Sequence, residues 1–447
     1  MTETLTTHWM QAFDATRLPQ HSEPEWLLKL RKQAFEVYLD MPEPPPPQRG
    51  LRRIPSLKVD ELSALQPMAD TESVEALLNQ RLQSWLQTGQ AFGGQTIAHN
   101  GQTLQTQLKA ELEAQGAIFC SLHEALVQHP EQVQKYLGSV YPAIAGRELA
   151  LNLAYWQTGY FLYLPRQCKL SLPLYALQSL SGSGSLFQRS LVVLEAGAEL
   201  TLVHDAWSAG QAAARVSDVL EIQLGDGAVL NQLNLQQWEK SVHCHSYSQA
   251  QLGRDARYHV LNLASGSLYH YLQTGTGLAQ KGAEARLLGL FVASGEQHFR
   301  QQSLQNHLSP HTVSHLQYHG VMRDQAYSFY NGMIYVAEAA QQTESNQLSK
   351  NLLLSEKARA DAIPNLEILA DDVQSGHGAA IGAIDRDQLF YLMSRGFGQT
   401  EAEALITEGF MEEVLLQFPD ARLHAPVQQL LAIQMLQDQL AEAESEG

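Results

Sequence analysis

The strongest constraint in this sequence is a long central stretch of short alternating apolar and polar runs separated by glycine-containing turns. From Gly159 to Ile384 there is almost no helical periodicity. Leu220, Ile222 and Leu224 alternate with polar residues and are followed by a turn at 225–227. Such a stretch leaves three architectures open: a β-sandwich, a closed β-barrel or a β-helix. The short strands and the lack of clear Asn-Gly hairpins favour the β-helix.

Helical patterns lie on both sides of this stretch. The capping box Ser22–Glu25 predicts a helix to about Leu39, and further helices are expected near 72–86 and 122–137. After the central stretch, Asp385 is placed to cap a helix that ends near Arg395. We therefore predict three regions: a mostly helical region over 1–155 with a stiff proline-rich linker near 42–47, a β core over 156–385, and a helical region over 386–447.

Charge and cysteine content limit the classes of partner and compartment. The 447 residues include 29 basic and 47 acidic side chains, a net charge of −18. This sign argues against nucleic acid or an anionic membrane surface as the main partner. There is no apolar run long enough for a membrane span or signal peptide, and the three cysteines form no CxxC pair. We expect a cytoplasmic protein without disulfides.

Motifs for common catalytic chemistry are missing from the sequence. It contains no GxxxxGK[ST] phosphate loop, no GxSxG nucleophile elbow and no HExxH zinc motif. Asp371 and Asp372 form the most suggestive carboxylate pair, but adjacent strand residues point to opposite faces, so a turn is the favoured interpretation. The missing phosphate loop therefore predicts that the protein does not itself hydrolyse nucleotide.

Four histidines recur at every fourth position, at His307, His311, His315 and His319. On a helix they would form a row of metal ligands, but Pro310 interrupts the series and the following residues alternate like a strand. On a strand, His315 and His319 would be about 13 Å apart, too far to bind one ion. Solvent-facing or hydrogen-bonded histidines are the favoured interpretation.

His377 is the most accessible candidate ligand. It lies between two glycines, in what reads as a polar turn after a strand at 366–369. Flanking glycines allow close approach and leave the imidazole exposed. From these residues alone, a turn histidine without a function is the favoured interpretation.

Several segments around His377 form a joint pattern over about 60 residues. They are Asn351–Ser355, Pro364–Ile368, Asp371–Val373, His377–Ala379, Leu389–Leu392 and Ser394–Gly396. Taken together, these segments look like the C-terminal signature of the SufB/SufD family, and the Asp-Asp-Val and His-Gly-Ala forms resemble its SufD branch.

The resemblance implies a fold, partners and site residues. It implies a mainly β core, a right-handed parallel β-helix, between N-terminal and C-terminal helical regions. It also implies a non-catalytic scaffold for iron–sulfur cluster assembly that pairs with a SufB-like subunit and docks a SufC-like ABC ATPase. His377 would then be a transient iron ligand for a nascent cluster at the subunit interface. Partner docking would involve Phe390, Tyr391, Arg395 and Phe397 in the C-terminal region.

Two departures from the family pattern limit what the chain can bind alone. Ser375 stands where a cysteine is common, and Ala358 stands near the place where SufB-type members carry one. A stable cluster usually requires four thiolates, so we expect a cluster shared with a partner and no tightly bound cofactor on the isolated chain. Two alternatives stay open: a β-helix carbohydrate-active enzyme, and a homodimeric scaffold that acts alone.

Overall fold

The central stretch folds into regular parallel strands. The computed structural model describes residues 23–43, 51–52, 54–65, 71–87 and 89–446. The strands in this part of the chain are β1 Gly94–His99, β2 Gln102–Leu108, β3 Ile118–Ser121, β4 Tyr160–Leu164, β5 Leu174–Leu194, β6 Glu199–Leu224, β7 Val229–Gln237, β8 His243–Leu252, β9 Arg257–Ala264, β10 Tyr269–Leu278, β11 Glu284–Ala293, β12 His298–His307, β13 Val313–Met322, β14 Tyr327–Val336, β15 Thr343–Leu353, β16 Arg359–Ile368 and β17 Val373–Ala383.

These strands stack as a parallel solenoid in which each turn supplies one strand to each of two sheets. In sheet 1, β8, β10, β12, β14 and β16 pair in that order. In sheet 2, β7, β9, β11, β13, β15 and β17 do the same. The long strands β5 and β6 pass through both sheets. The predicted β-helix is confirmed, and sandwich and barrel are excluded.

Glycine turns allow successive turns of the solenoid to stack closely. A Cβ atom added to Gly225 would lie 2.7 Å from the backbone nitrogen of Ala196, one turn earlier. A Cβ atom on Gly253 would lie 2.9 Å from the backbone nitrogen of Asp226. The recurring glycines of the sequence therefore mark corners where two backbones meet without room for a side chain.

The main core lies between the two sheets. The alternating residues Leu220, Ile222 and Leu224 of β6 all point into it and are at most 3% exposed. Polar residues such as Ser303 and Gln305 of β12 are also fully buried inside the solenoid. The period-two pattern thus predicts the inward face, although part of that face is polar.

Helices cover the start of the solenoid and one of its sides. The α-helices in the described part of the chain are α1 Glu25–Asp40, α2 Thr71–Gln87, α3 Ala110–Glu113, α4 Leu122–Gln128, α5 Pro130–Tyr136, α6 Arg147–Tyr155, α7 Arg386–Ser394, α8 Gln399–Leu415 and α9 His424–Glu446. Short 3-10 turns occur at Val59–Glu61, Ala143–Ala145 and Ala421–Leu423.

The N-terminal region differs from the prediction in two respects. The single helix expected over 122–137 is wrong, because the chain breaks at His129 (φ −135°, ψ 48°) before Pro130 and forms α4 and α5. A residue before proline is disfavoured in the helical conformation. The region also contributes the strands β1 to β3. Ser22 and the prolines at 44–47 lie outside the described residues.

The C-terminal helices α8 and α9 pack on the outer face of sheet 2. Met411, Val414 and Leu415 of α8 and Val427 of α9 form a buried cluster with strand residues such as Leu288. None of the helices in the described ranges has the length and apolar character needed to cross a bilayer.

Candidate partner interface and cluster site

The last turn of the solenoid leaves two strand edges unpaired. Within the described residues, β16 pairs only with β14 and β17 pairs only with β15. Edge strands of this length are usually covered or interrupted, because their free N–H and C=O groups recruit other strands. We call the surface formed by β16 and β17 the open end. Sequence reasoning missed these edges, since strand order is not encoded in any local pattern.

His377 lies in the middle of β17, at the open end. Its backbone is in register with Gln347 of β15, and its side chain is exposed. The predicted turn at this position is therefore wrong: Gly376, His377 and Gly378 continue the ladder of sheet 2. A Cβ atom added to Gly376 would meet no atom within 4 Å, so the face of β17 opposite the His377 side chain has open space at this position.

Large apolar side chains are exposed in the last turn and in the helix that follows it. Ile363 of β16, Leu369 directly after that strand, and Ile381 of β17 are between 37% and 53% exposed. In α7, Phe390 is 72% and Tyr391 55% exposed. Exposed apolar groups concentrated in one part of a molecule usually indicate an interaction surface.

Helix α7 is formed locally and buries none of its own residues. Asp385 caps it, because the carboxylate oxygen accepts hydrogen bonds from the backbone N–H groups of Asp387 and Gln388 at 2.8 and 3.3 Å. This confirms the predicted N-cap. Gly396, with φ 102°, follows its C-terminal end.

The predicted docking residues lie together on α7 and the turn after it. The guanidinium of Arg395 stacks on the ring of Tyr391 at 5.0 Å. Phe397 is 36% exposed. These side chains, with Phe390, form an apolar surface next to a positive charge.

No cysteine of the chain is available at this surface. Cys120, Cys168 and Cys244 are buried and unpaired, and burial raises the pKa of Cys120 and of Cys244 to about 12. Ser375, on β17, shares a hydrogen bond of 2.7 Å with Ser345. Ala358 is buried in the turn before β16.

The ligand set at the open end is correspondingly small. Across the described ranges, no three side chains of the His, Cys, Asp and Glu types converge closely enough to hold a metal ion. His377 therefore belongs to no such group of three among the described residues.

The other suggestive residues have structural partners. His307 bonds to Thr312 and Ser314, both at 2.8 Å, inside the solenoid. His319 lies outside sheet 2, stacks on Phe410 at 4.3 Å and bonds to its carbonyl oxygen. It therefore helps to position α8. Asp371 and Asp372 form the turn before β17, and the backbone N–H of Asp372 bonds to Gln341.

Fold and site together define a class of protein: a parallel β-solenoid whose last turn has free strand edges and carries an exposed imidazole. Comparisons with known proteins give the family. Residues 177–410 match the family model "SUF system FeS cluster assembly, SufBD core domain", and residues 94–175 match "SufBD protein N-terminal region". The chain belongs to the SufBD family of the SUF iron–sulfur cluster assembly system.

Individual relatives are similar in sequence along nearly the whole chain. It is 31% identical to the iron–sulfur cluster assembly protein SufD of Bacillus subtilis, over 90% of this chain and 92% of that protein. It is 26% identical to SufB of the same organism, over 89% of this chain and 87% of SufB. A SufBD family protein of Staphylococcus epidermidis is also 26% identical. The predicted resemblance to the SufB/SufD family is confirmed.

Proposed function

We propose that this chain is a non-catalytic scaffold subunit of a cytoplasmic SUF complex. Its open end pairs with a SufB-like subunit, and a SufC-like ABC ATPase docks on α7. A nascent iron–sulfur cluster forms where the two scaffold subunits meet. The observation that carries the proposal is the pair of free edges of β16 and β17, with His377 exposed on β17.

The open end has the properties of a surface that another chain covers. Solenoid proteins usually need a terminal cap with a polar outer face. Here the last turn carries Ile363 and Ile381, which are 37% and 44% exposed, and no described element lies over it. A partner strand or turn would satisfy the free backbone groups and bury these side chains.

The site on this chain supplies only part of a ligand set. An imidazole is a suitable iron ligand, but clusters are held mainly by thiolates. Because the three cysteines are buried and protonated, the thiolates come from the partner or the cluster's donor. His377 then acts as an exchangeable ligand, and movement of the ATPase partner alters the interface around it.

The docking role of α7 gives the first prediction. We expect the double substitution Phe390→Ala and Tyr391→Ala to weaken binding of the ATPase partner by about tenfold or more, because exposed aromatic anchors carry much of the energy of an interface. The melting temperature should stay unchanged, since α7 buries none of its residues. The measurement is co-purification with the ATPase, followed by a titration of the purified subunits.

A matched control is available in the N-terminal region of the chain. Val127 of α4 is 78% exposed, and Val127→Ala removes apolar surface far from α7 in the sequence. Its ATPase binding should equal that of the wild type. If the α7 double variant binds the ATPase as tightly as the wild type, the proposed docking surface is contradicted. If the wild-type chain co-purifies with no SufB-like subunit, the scaffold role is contradicted.

A further inference from the structure

An extended segment crosses sheet 1 and brings one arginine to a group of buried rings. We call residues 51–52 and 54–65 the strap. Its Ser63 hydrogen-bonds with Ser185 of β5, and its Glu61 pairs with Arg215 of β6 at 2.7 Å. The carbonyl oxygen of Pro55 bonds to His245 of β8 at 3.0 Å. The strap thus runs across successive turns of the solenoid toward the open end.

Arg52, at the other end of the strap, lies over sheet 1. Its guanidinium carbon is 5.4 Å from the ring centre of Tyr327, the first residue of β14. The ring of Tyr327 is 4.8 Å from the ring of His298, the first residue of β12. Arg300 projects from the same face of β12, and its guanidinium carbon is 5.2 Å from the ring of Phe329. Two guanidinium groups therefore flank one imidazole.

Two buried nitrogen atoms of this group have no hydrogen-bond partner among the described residues. His298 is 3% exposed, and its Nε2 atom has no hydrogen-bond partner there. The Nε of Arg300 is also buried and without a partner. Burying such groups without hydrogen bonds is costly, so their presence points to a bound acceptor.

The nearby charges leave a positive centre. Among the described residues, neither Arg52 nor Arg300 has a carboxylate within ion-pair distance. Two acids lie nearby: Asp361 of β16 is held by Arg359 and by the hydroxyl of Tyr327 at 2.8 and 2.7 Å, and Glu148 of α6 acts electrostatically on Tyr271, as Arg300 does. Burial, Arg52 and Arg300 lower the pKa of His298 to about 4, so its ring is neutral and can donate one N–H.

We propose that Arg52, His298 and Arg300 form a binding site for a phosphate group. Stacking on aromatic rings occupies the faces of both guanidinium groups and leaves their in-plane N–H donors free. Donors then approach from the strap and from two positions of β12. A phosphate has enough oxygen atoms to accept bonds from all three directions. The ligand is an inorganic phosphate ion or a phosphate ester, which share this chemistry.

Calorimetric titration of the full chain with inorganic phosphate, at constant ionic strength, tests the site. We expect saturable binding in the wild type. Arg52→Gln and Arg300→Gln should each weaken it by about tenfold or more, because each removes a charge-assisted hydrogen bond. Glycerol phosphate is the second probe. If it binds more tightly than inorganic phosphate, and if this binding depends on Arg52, the natural ligand is a phosphate ester. If inorganic phosphate binds more tightly, the natural ligand is the free ion.

Arg254→Gln is the control, because it removes one positive charge from an exposed turn outside the site. It should bind phosphate like the wild type. Melting temperatures in phosphate-free buffer show whether each variant is folded. Because Arg52 is exposed, Arg52→Gln should fold, and it alone decides the outcome if the Arg300 variant does not fold. The proposal is overturned if no probe binds saturably, or if the Arg52 variant binds as tightly as the Arg254 variant.

Discussion

Glu221 is a single residue that ties the N-terminal region to the solenoid. It lies in β6 between the inward-facing Leu220 and Ile222, so it points outward, yet it is only 2% exposed. Its carboxylate pairs with the buried Arg189 of β5 at 2.7 Å. It also accepts hydrogen bonds from the backbone N–H groups of residues 138, 140 and 141. The pair fixes this loop against two strands.

Removing this carboxylate should be strongly destabilising. Glu221→Gln leaves Arg189 buried without a counter-charge, and we expect it to lower the free energy of unfolding by about 3–5 kcal/mol. Glu199→Gln is the matched control, because Glu199 pairs with Lys169 at the surface, where such pairs contribute about 0–1 kcal/mol. Denaturant titration measures both. Similar losses in the two variants would contradict a special role for the buried pair.

Sequence reasoning could not find this pair. Glu221 and Arg189 are 32 residues apart and become neighbours only through the pairing of β5 and β6. The same limit applies to His377. Its motif identified it as a candidate ligand, but its position on a free strand edge depends on register with β15. Local sequence patterns carry residue identity and periodicity, whereas neighbours across turns depend on the whole solenoid.

At the scale of elements, a prediction from sequence was correct where the interactions that determine the element are between residues close together in the chain. The cap of α7 was predicted because Asp385 acts on residues two and three positions further on. The break at His129 was missed because the helical pattern continues through Pro130 and hides the conformational restriction. The glycines beside His377 suggest a turn, but pairing with β15 overrides that local preference.

The attachment of the C-terminal helices depends on Asp420, between α8 and α9. Its carboxylate accepts hydrogen bonds from Thr201 of β6 at 2.8 Å and from the Nε of Arg422 at 2.7 Å. Burial tends to raise the pKa of Asp420, but the hydrogen bonds from Arg422 and Thr201 outweigh it and hold the pKa below the usual 3.8. Arg422 in turn donates to the carbonyl oxygen of Ser171. The carboxylate therefore links both helices to the solenoid.

This arrangement predicts a pH dependence. Because the folded-state pKa of Asp420 is lowered, its stabilisation is fully present above about pH 4 and is lost as the pH falls through the folded-state value. Asp420→Asn should lower the free energy of unfolding at neutral pH by about 1.5–3 kcal/mol. Denaturant titrations across this pH range should show the two proteins converging in acid. A difference that stays constant with pH would contradict the assignment, and the exposed Asp371→Asn is the control.

At the scale of the whole molecule, the two ends of the solenoid differ: other parts of the chain cover the first, whereas the last has free strand edges. The N-terminal helices and β4 cover the start of the solenoid, and α8 and α9 cover one side of it. The last turn instead presents free strand edges, exposed apolar side chains and His377. This asymmetry supports the proposal that the chain, whose three cysteines are buried, contributes half of a composite site.

The most direct measurement of this account is anaerobic reconstitution with iron and sulfide, followed by counting both in the purified complex and in the isolated chain. The complex with a SufB-like subunit should acquire a cluster, whereas the isolated chain should not. His377→Ala should weaken cluster retention by about tenfold or more while the complex stays intact by gel filtration. His315→Ala, on a partly exposed histidine of β13, should behave like the wild type. A stable cluster on the isolated chain, or undiminished cluster in the intact His377→Ala complex, would contradict the account.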